Sequence, residues 1–248
     1  MLDKALNKLN SGTVAVPPDD HIFVGDGDYL GISAEFLRYF VETAGLRTTD
    51  TVLDVGCGIG RMATGLSLYL DRTAGRYIGF DPIGSGIEWC RTAFADRPGF
   101  EFHWADIHNE LYNPDGNIQA STYRFPCDDD TVDLAIATSV FTHLYQDDIR
   151  AYLGEAARVL KTGGRLFATA YLFRGECPVG TRHIKFEQPG SETGERWFME
   201  NAPPLAGVCY QEDYFRGLAM GAFGREPLVR PGRWRGGDGP WFQDVVIL

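Results

Sequence analysis

The sequence has no Cys-x-x-Cys pair, no internal repeat and no low-complexity stretch. It also lacks any apolar run near the roughly 18–20 residues that span a bilayer. Basic charge is in deficit, with 23 Lys and Arg against 34 Asp and Glu and a formal charge of −11. A protein whose main task is to neutralise nucleic-acid phosphates carries a basic footprint, so that class is disfavoured. The first ten residues alternate Leu with Lys and Asn and contain no apolar signal core. Together these absences predict a soluble, cytoplasmic protein with neither membrane nor nucleic acid as partner. Cys57, Cys90, Cys127, Cys177 and Cys209 are odd in number and scattered. Such a set makes a poor disulfide framework and a poor zinc site, which predicts reduced thiols. His21, His103, His108 and His183 are isolated from one another, and no metal quartet is visible. The acidic runs Asp128-Asp129-Asp130 and Asp147-Asp148 read as solvated turns and helix N-terminal acids rather than a cation site.

What is present is an ordinary globular composition, 44% hydrophobic and 23% charged over 248 residues, which excludes disorder. Leu2, Ala5, Leu6 and Leu9 recur at helical spacing and predict a short amphipathic arm, followed by a linker at Pro17-Pro18-Asp19-Asp20. Residues 1–32 are read as that arm and linker, placed to fold over a site or to exchange between subunits of a homo-oligomer. Residues 33–248 are read as one domain. Its first helix is predicted to start at Ser33 as N-cap and to end at Gly45.

From residue 51 short apolar runs alternate with helical periods. Strands are predicted at 51–55, 77–80, 100–104, 132–138 and 165–172, and helices at 61–70, 85–95 and 147–160. This alternation implies βαβ units, right-handed crossovers and an α/β, Rossmann-like, doubly wound, mostly parallel sheet. Two stretches break the pattern. Residues 107–130 hold turn residues where a helix is expected. Residues 173–209 are rich in Gly, Pro and charge without a sustained period, and are read as a lid-like insertion. That insertion carries Arg174, Arg182, His183, Arg196, Trp197 and Phe198, which suit contact with a polar, ring-shaped acceptor and suit a partner surface nearly as well. The tail adds Arg225, Arg230, Arg233, Trp234, Arg235 and Trp241 as a surface loop with basic character.

The chemistry concentrates in Val52-Leu53-Asp54-Val55-Gly56-Cys57-Gly58-Ile59-Gly60-Arg61, a buried strand entering a glycine-rich turn and then a helix. Glycines let the backbone approach a ligand closely, and a helix N-terminus favours negative charge. The spacing departs from the dinucleotide pattern G-x-G-x-x-G, because Arg61 stands where the third glycine belongs. The Asp-x-Gly-Cys-Gly-x-Gly arrangement resembles the first motif of the class I S-adenosylmethionine-dependent methyltransferases. The likeness continues in register through Tyr77-Ile78-Gly79-Phe80-Asp81, His103-Trp104-Ala105-Asp106-Ile107, Val132-Asp133-Leu134, Leu160–Leu166 and a closing run at 242–247.

The resemblance implies a seven-stranded sheet whose last strand is antiparallel, and S-adenosylmethionine as cofactor. It implies a cofactor-binding set of Asp54, Gly56, Cys57, Gly58, Gly60, Arg61, Asp81, Pro82, Ile83, Asp106, Ile107, Thr138 and Ser139. Within it Asp81 would accept from the ribose hydroxyls, Pro82 and Ile83 would pack beside adenine, and Asp106 would lie near the adenine amine. Cys57 is read as a small filler whose backbone amide faces the ligand. On its own residues Asp81 reads equally as a helix cap, and Arg61 as pairing with a cofactor carboxylate or with a structural acid.

The acceptor in such a sheet lies beyond the carboxyl ends of the strands, where Thr138-Ser139-Val140-Phe141-Thr142-His143 follows strand four. His143 is the general-base candidate because imidazole titrates near neutral pH, with capping or packing on Tyr145 as the competing role. Phe141, His143 and Trp197 are taken as substrate-facing. The Asn/Asp-Pro-Pro-Tyr/Phe tetrad of amide and exocyclic-amine methyltransferases is missing. Gly-x-Gly-Arg-Met, Trp89-Cys90, Tyr112-Asn113-Pro114-x-Gly116 and Ser139–His143 are similar to a bacterial branch associated with polysaccharides and secondary metabolites. The expected activity is O-methylation of a saccharide or specialised-metabolite hydroxyl. The alternatives are N- or C-methylation of a small molecule, or a cofactor-binding protein without catalysis.

Overall fold

The computed structural model describes residues 1–12, 14–18, 28–176 and 184–248. In chain order the elements are α1 (Leu2–Asn10), α2 (Tyr29–Glu42), β1 (Thr51–Val55), α3 (Arg61–Tyr69), β2 (Arg76–Asp81), α4 (Gly84–Ala93), β3 (Phe100–Trp104), β4 (Ile107–His108), β5 (Ile118–Gln119), β6 (Val132–Ala137), α5 (Gln146–Val159), β7 (Leu160–Phe173), β8 (Phe186–Pro189), β9 (Arg196–Met199), β10 (Val208–Gln211), α6 (Glu212–Phe223), β11 (Leu228–Arg230) and β12 (Asp244–Ile247). Asp19, Asp20, His21, Cys177, Arg182 and His183 lie outside the described residues. Two compact units result. One comprises Met1–Asp106, Pro126–Ile136 and Leu160–Arg165, the other Ile107–Phe125, Ala137–Val159 and Leu166–Leu248.

In the first unit β3, β2, β1 and β6 pair in that order, all parallel. Strands covered on both faces read as continuous apolar runs, and β1 obeys this with one exception. Val52, Leu53 and Val55 are buried, and so is the carboxyl-bearing Asp54 between them. The α1 arm buries Ala5, Leu6 and Leu9 and lies against α2 and α3. α2 begins at Tyr29, four residues before the expected start. Ser33 is therefore not a cap: it is buried inside the helix, and its hydroxyl accepts the Gly65 N–H of α3 at 2.9 Å. The end is as expected, with Gly45 at φ +67° just past the helix.

In the second unit β7 pairs parallel with β10 and antiparallel with β12. The closing antiparallel strand is thus present. β10 continues into antiparallel β9 and β8, and β11 pairs with β12. The stretch 173–209, expected to be irregular, thus supplies three strands. Each has four residues, too short for a visible alternation, and Gly and Pro punctuate the gaps between them. Tyr171, Phe173, Phe186, Cys209 and Trp234 form a core cluster on this sheet. No disulfide joins Cys57, Cys90, Cys127 or Cys209 among the described residues. No helix among the described residues is long and apolar enough to cross a membrane.

A charge network closes the second unit. Glu212, 1% exposed at the start of α6, receives Arg174, Arg216 and Arg235 at 2.7, 2.9 and 2.9 Å. Arg235 also meets buried Asp244 at 2.6 Å, and Asp244 accepts from the Trp234 indole and from the Gly232 and Leu172 amides. Trp234 and Arg235, expected on a surface loop, are instead internal because these acids hold them. Burial raises the Glu212 carboxyl, but the arginine hydrogen bonds outweigh it and hold it at about 2. Its folded value lies below the ordinary 4.5, so its stabilisation is present above pH 4.5 and is lost as pH falls towards 2. Glu212→Gln, which takes the shared carboxylate from Arg174, Arg216 and Arg235 while Arg235 keeps Asp244, is expected to cost about 3 kcal/mol at pH 7. Urea unfolding at pH 7 and pH 3 should show that difference shrinking at the lower pH.

Candidate functional site

In the first unit the carboxyl ends of β1 and β2 carry two buried acids bracketing the glycine turn. Gly56, Gly58 and Gly60 all have positive φ, at +69°, +55° and +77°, which side chains rarely tolerate. At Gly60 a Cβ would also stand 2.9 Å from the Cys90 sulfur. This turn brings its amides back over β2. Gly56 and Cys57 N–H both donate to the Phe80 carbonyl at 3.0 Å, and Gly58 N–H donates to Asp81 Oδ2 at 2.8 Å. The expected ligand-facing role of the Cys57 amide is corrected accordingly, since Phe80 takes that amide and the thiol is buried.

Asp54 is fully buried. Tyr77 donates its hydroxyl to Oδ2 at 2.6 Å, while Oδ1 has no hydrogen-bond partner among the described residues. Burial pushes the carboxyl up to about 7, with the Tyr77 hydrogen bond pulling down and the charge of Asp81 pushing further up. Asp81 is raised by burial to about 6, opposed by its bonds from the Ile83 and Gly58 amides. Its Oδ1 takes the Ile83 N–H at 2.8 Å, so the helix-start role is real and coexists with the contact to the turn. Pro82 and Ile83 are half-buried next to it. The Ala105 amide donates to the Asp81 carbonyl at 3.0 Å, which brings half-buried Asp106 to the same strand ends.

Three residues of this unit were given no role of their own in the sequence reading. Tyr77 lies in β2 on the face of Gly79, which pairs with Asp54. A Cβ on Gly79 would sit 2.9 Å from the Tyr77 hydroxyl, so a glycine two positions after a tyrosine was the available signal. Tyr29 donates its hydroxyl to the Ile59 carbonyl at 3.2 Å, shares a bond with Thr64 and lies under the Arg61 guanidinium at 5.7 Å. Its distance in sequence hid it. Trp104 stays 53% exposed, its indole N–H fixed on the Pro82 carbonyl at 3.0 Å and its ring beside Gly84.

In the second unit Ile107 is buried and opens β4. Thr138 and Ser139 follow β6, and Ser139 has φ +59°, a strained value for a residue with a Cβ. Its amide donates to Thr169 Oγ1 at 2.7 Å, and its hydroxyl accepts from Gln243 Nε2 at 2.9 Å. The His143 ring has its Nδ1 2.8 Å from the Leu205 carbonyl and its Nε2 3.4 Å from the Tyr112 hydroxyl. Burial lowers its pKa below the ordinary 6.5, partly offset by the Leu205 contact. Two expectations change here. Phe141 is 2% exposed and edge-on to Phe215, so it is a core residue rather than a substrate contact. Trp197 packs on the core cluster. Successive strand residues face opposite ways, and its neighbours Arg196 and Phe198 therefore meet Tyr145, with Arg196 5.4 Å from that ring. No group of three or more His, Cys, Asp or Glu among the described residues is arranged to hold a metal ion.

The profile described as "Methyltransferase domain" matches residues 53–168. An uncharacterized methyltransferase of Schizosaccharomyces pombe is 31% identical over 119 residues, covering 48% of this chain and 39% of that protein. The uncharacterized methyltransferase YcgJ of Bacillus subtilis is 28% identical over 161 residues, covering 65% and 53%. The chain therefore spans about half the length, or less, of these relatives. Among solved structures, the 1,6-didemethyltoxoflavin-N1-methyltransferase of Burkholderia thailandensis, with bound 1,6-didemethyltoxoflavin and S-adenosylhomocysteine, shares the fold. It aligns with a TM-score of 0.55 and 16% identity over 87% of this chain and 76% of that one.

The raised Asp54 gives a sign to test. A carboxyl titrating at about 7 when folded and near 3.8 when unfolded favours the folded state at low pH, and that contribution is lost as pH rises from about 4 to 7. Asp54→Asn keeps an acceptor for Tyr77 and removes the titration. The variant is expected to melt higher than the parent at pH 8, by an amount on the order of 1 kcal/mol or more, and to lose that advantage at pH 5. Thermal melts across that range read it.

Proposed function

We propose that this chain, whose residues 53–168 match the methyltransferase-domain family, is a class I S-adenosylmethionine-dependent methyltransferase that methylates a hydroxyl of a saccharide or specialised metabolite. The residues of the first unit fit S-adenosylmethionine. Asp54 keeps a buried oxygen without a partner, suited to a cationic or N–H-bearing group. The positive-φ turn ends in the N-terminus of α3, which favours a carboxylate. Asp81, Ile83 and the Trp104 ring line the other strand end, where a carboxylate and apolar walls suit ribose and adenine. When bound, the cofactor supplies a methyl group on a sulfonium sulfur.

The chain's own residues then have two tasks. They align an acceptor with that methyl, and they remove the acceptor's proton. His143 carries the proposal: burial favours its neutral form, its Nδ1 is engaged by Leu205, and Nε2 is the basic nitrogen, which an acceptor reaches by displacing the long 3.4 Å contact with the Tyr112 hydroxyl. An alcohol or phenol must lose a proton on methylation, and a neutral imidazole accepts it at physiological pH. Arg196, Phe198 and Tyr145 offer a cation between aromatic faces two residues beyond His143, a surface suited to a polar ring.

Calorimetric titration with S-adenosylhomocysteine should show binding to the parent and at least about tenfold weaker binding to Asp81→Ala, which loses a charged acceptor. Absence of binding to the parent would overturn the cofactor assignment. Against a panel of sugars, phenols and amines, His143→Ala should lower turnover roughly 10²–10⁴-fold and leave S-adenosylhomocysteine affinity unchanged. The parent's rate should rise with pH through the imidazole range. A flat profile with an amine or carbon acceptor would favour N- or C-methylation, and cofactor binding without any turnover would favour a non-catalytic role.

A further inference from the structure

The donor and acceptor inventory around His143 has one consistent solution. A carbonyl oxygen can only accept, so the 2.8 Å contact with Leu205 requires the proton on Nδ1. In a neutral ring Nε2 is then a bare acceptor, and the Tyr112 hydroxyl at 3.4 Å must donate to it. The rings meet edge to face with centroids 5.3 Å apart. Tyr112 itself is held by its loop: the Asn109 side chain accepts the Leu111 and Tyr112 amides at 3.0 and 3.1 Å, and its own amide donates to the His143 carbonyl at 3.3 Å. The Asn109–Asn113 bridge closes that loop.

We propose that Tyr112 is a positioning residue for His143: with the Leu205 carbonyl, it holds the imidazole as a single neutral tautomer whose basic nitrogen is Nε2. The Leu205 carbonyl belongs to the short 3-10 turn Pro204–Ala206, so the segment between β9 and β10 fixes the base. It is not only a cover for the acceptor. The inference rests on the reading of His143 as the base only for its use in catalysis. The tautomer and the basicity are properties of the protein alone.

A donor to Nε2 stabilises the neutral ring, so losing it raises the His143 pKa. The other titratable groups on the elements packed here are few. The Tyr112 loop brings Glu110, whose carboxylate accepts from the Tyr145 hydroxyl at 3.3 Å. The start of α5 brings Asp147 and Asp148, and β10 brings Cys209 and Tyr210, the latter bonded to the Leu144 carbonyl at 2.8 Å. Arg196 lies over Tyr145. The Pro204–Ala206 turn has no titratable side chain.

The test is long-range ¹H–¹⁵N correlation of histidine-labelled protein without ligand at pH 7.5, with His143→Asn used to assign the ring. The expected result is a protonated Nδ1 and an unprotonated Nε2. A protonated Nε2, or an averaged pair of tautomers, overturns the proposal. In Tyr112→Phe the Nδ1–H tautomer is expected to persist while the His143 pKa rises by roughly half a unit to one unit. An unchanged or lowered pKa in a variant that keeps the parent's circular dichroism overturns the role of Tyr112. The tautomer reading in the parent does not depend on Tyr112→Phe, so a Tyr112→Phe protein that fails to fold leaves the tautomer test decisive. If both results are obtained and His143→Ala still turns over an acceptor at the parent rate, the base reading falls and this assignment stands.

Discussion

The first unit is organised by the need to satisfy backbone amides where the chain turns off the end of β1. Three successive N–H groups, from Gly56 to Gly58, emerge with no helix yet to receive them. β2 supplies the acceptors, as the Phe80 carbonyl and the Asp81 carboxylate. The positive φ of the glycines, the burial of Asp81 and the parallel pairing of β1 with β2 are one arrangement seen from three sides. Changing any of them leaves a buried donor without a partner, at about 1–3 kcal/mol each. The same geometry places Asp54 deep beneath the turn, where, among the described residues, Tyr77 is the side chain that donates to it.

The second unit solves a different problem with different means. Ser139 takes a backbone conformation more natural to glycine, and side chains from two other segments support it, Thr169 on its amide and Gln243 on its hydroxyl. Thr169 in turn donates to Gln243 Oε1 at 2.5 Å. Strain at one residue is thus balanced by a closed set of hydrogen bonds, which suits a position meant to hold the chain at a fixed angle after β6.

The sequence made the first unit readable because its constraints are local. Glycine spacing, an acid at the end of each strand and continuous apolar runs are visible over a few residues, and strand 100–104 came out with its observed bounds. Tyr77 was not readable as a partner of Asp54, because that pair depends on which strands neighbour each other and in what register. The second unit was less legible for two reasons. Strands of four residues between glycines and prolines give too few alternations to count, and the opposite facing of Trp197 and Arg196 in β9 cannot be told without knowing which side is the core. The early start of α2 was missed because Ser33 looks like a cap from its neighbours alone; its partner, Gly65, is 32 residues away.

The acceptor that fixes the His143 ring is a main-chain carbonyl, and this bears on how the protein can change over time. No side-chain substitution at position 205 deletes a peptide oxygen. The Tyr210 anchor on Leu144 likewise ends on backbone. Exposed side chains of the segment from β9 to β10, such as Asn201 and Pro203, are therefore free to vary while the imidazole keeps its orientation, whereas buried Leu205 and Gly207 are held by packing. A ring held in this way on main-chain oxygen keeps its orientation while the exposed side chains around it drift.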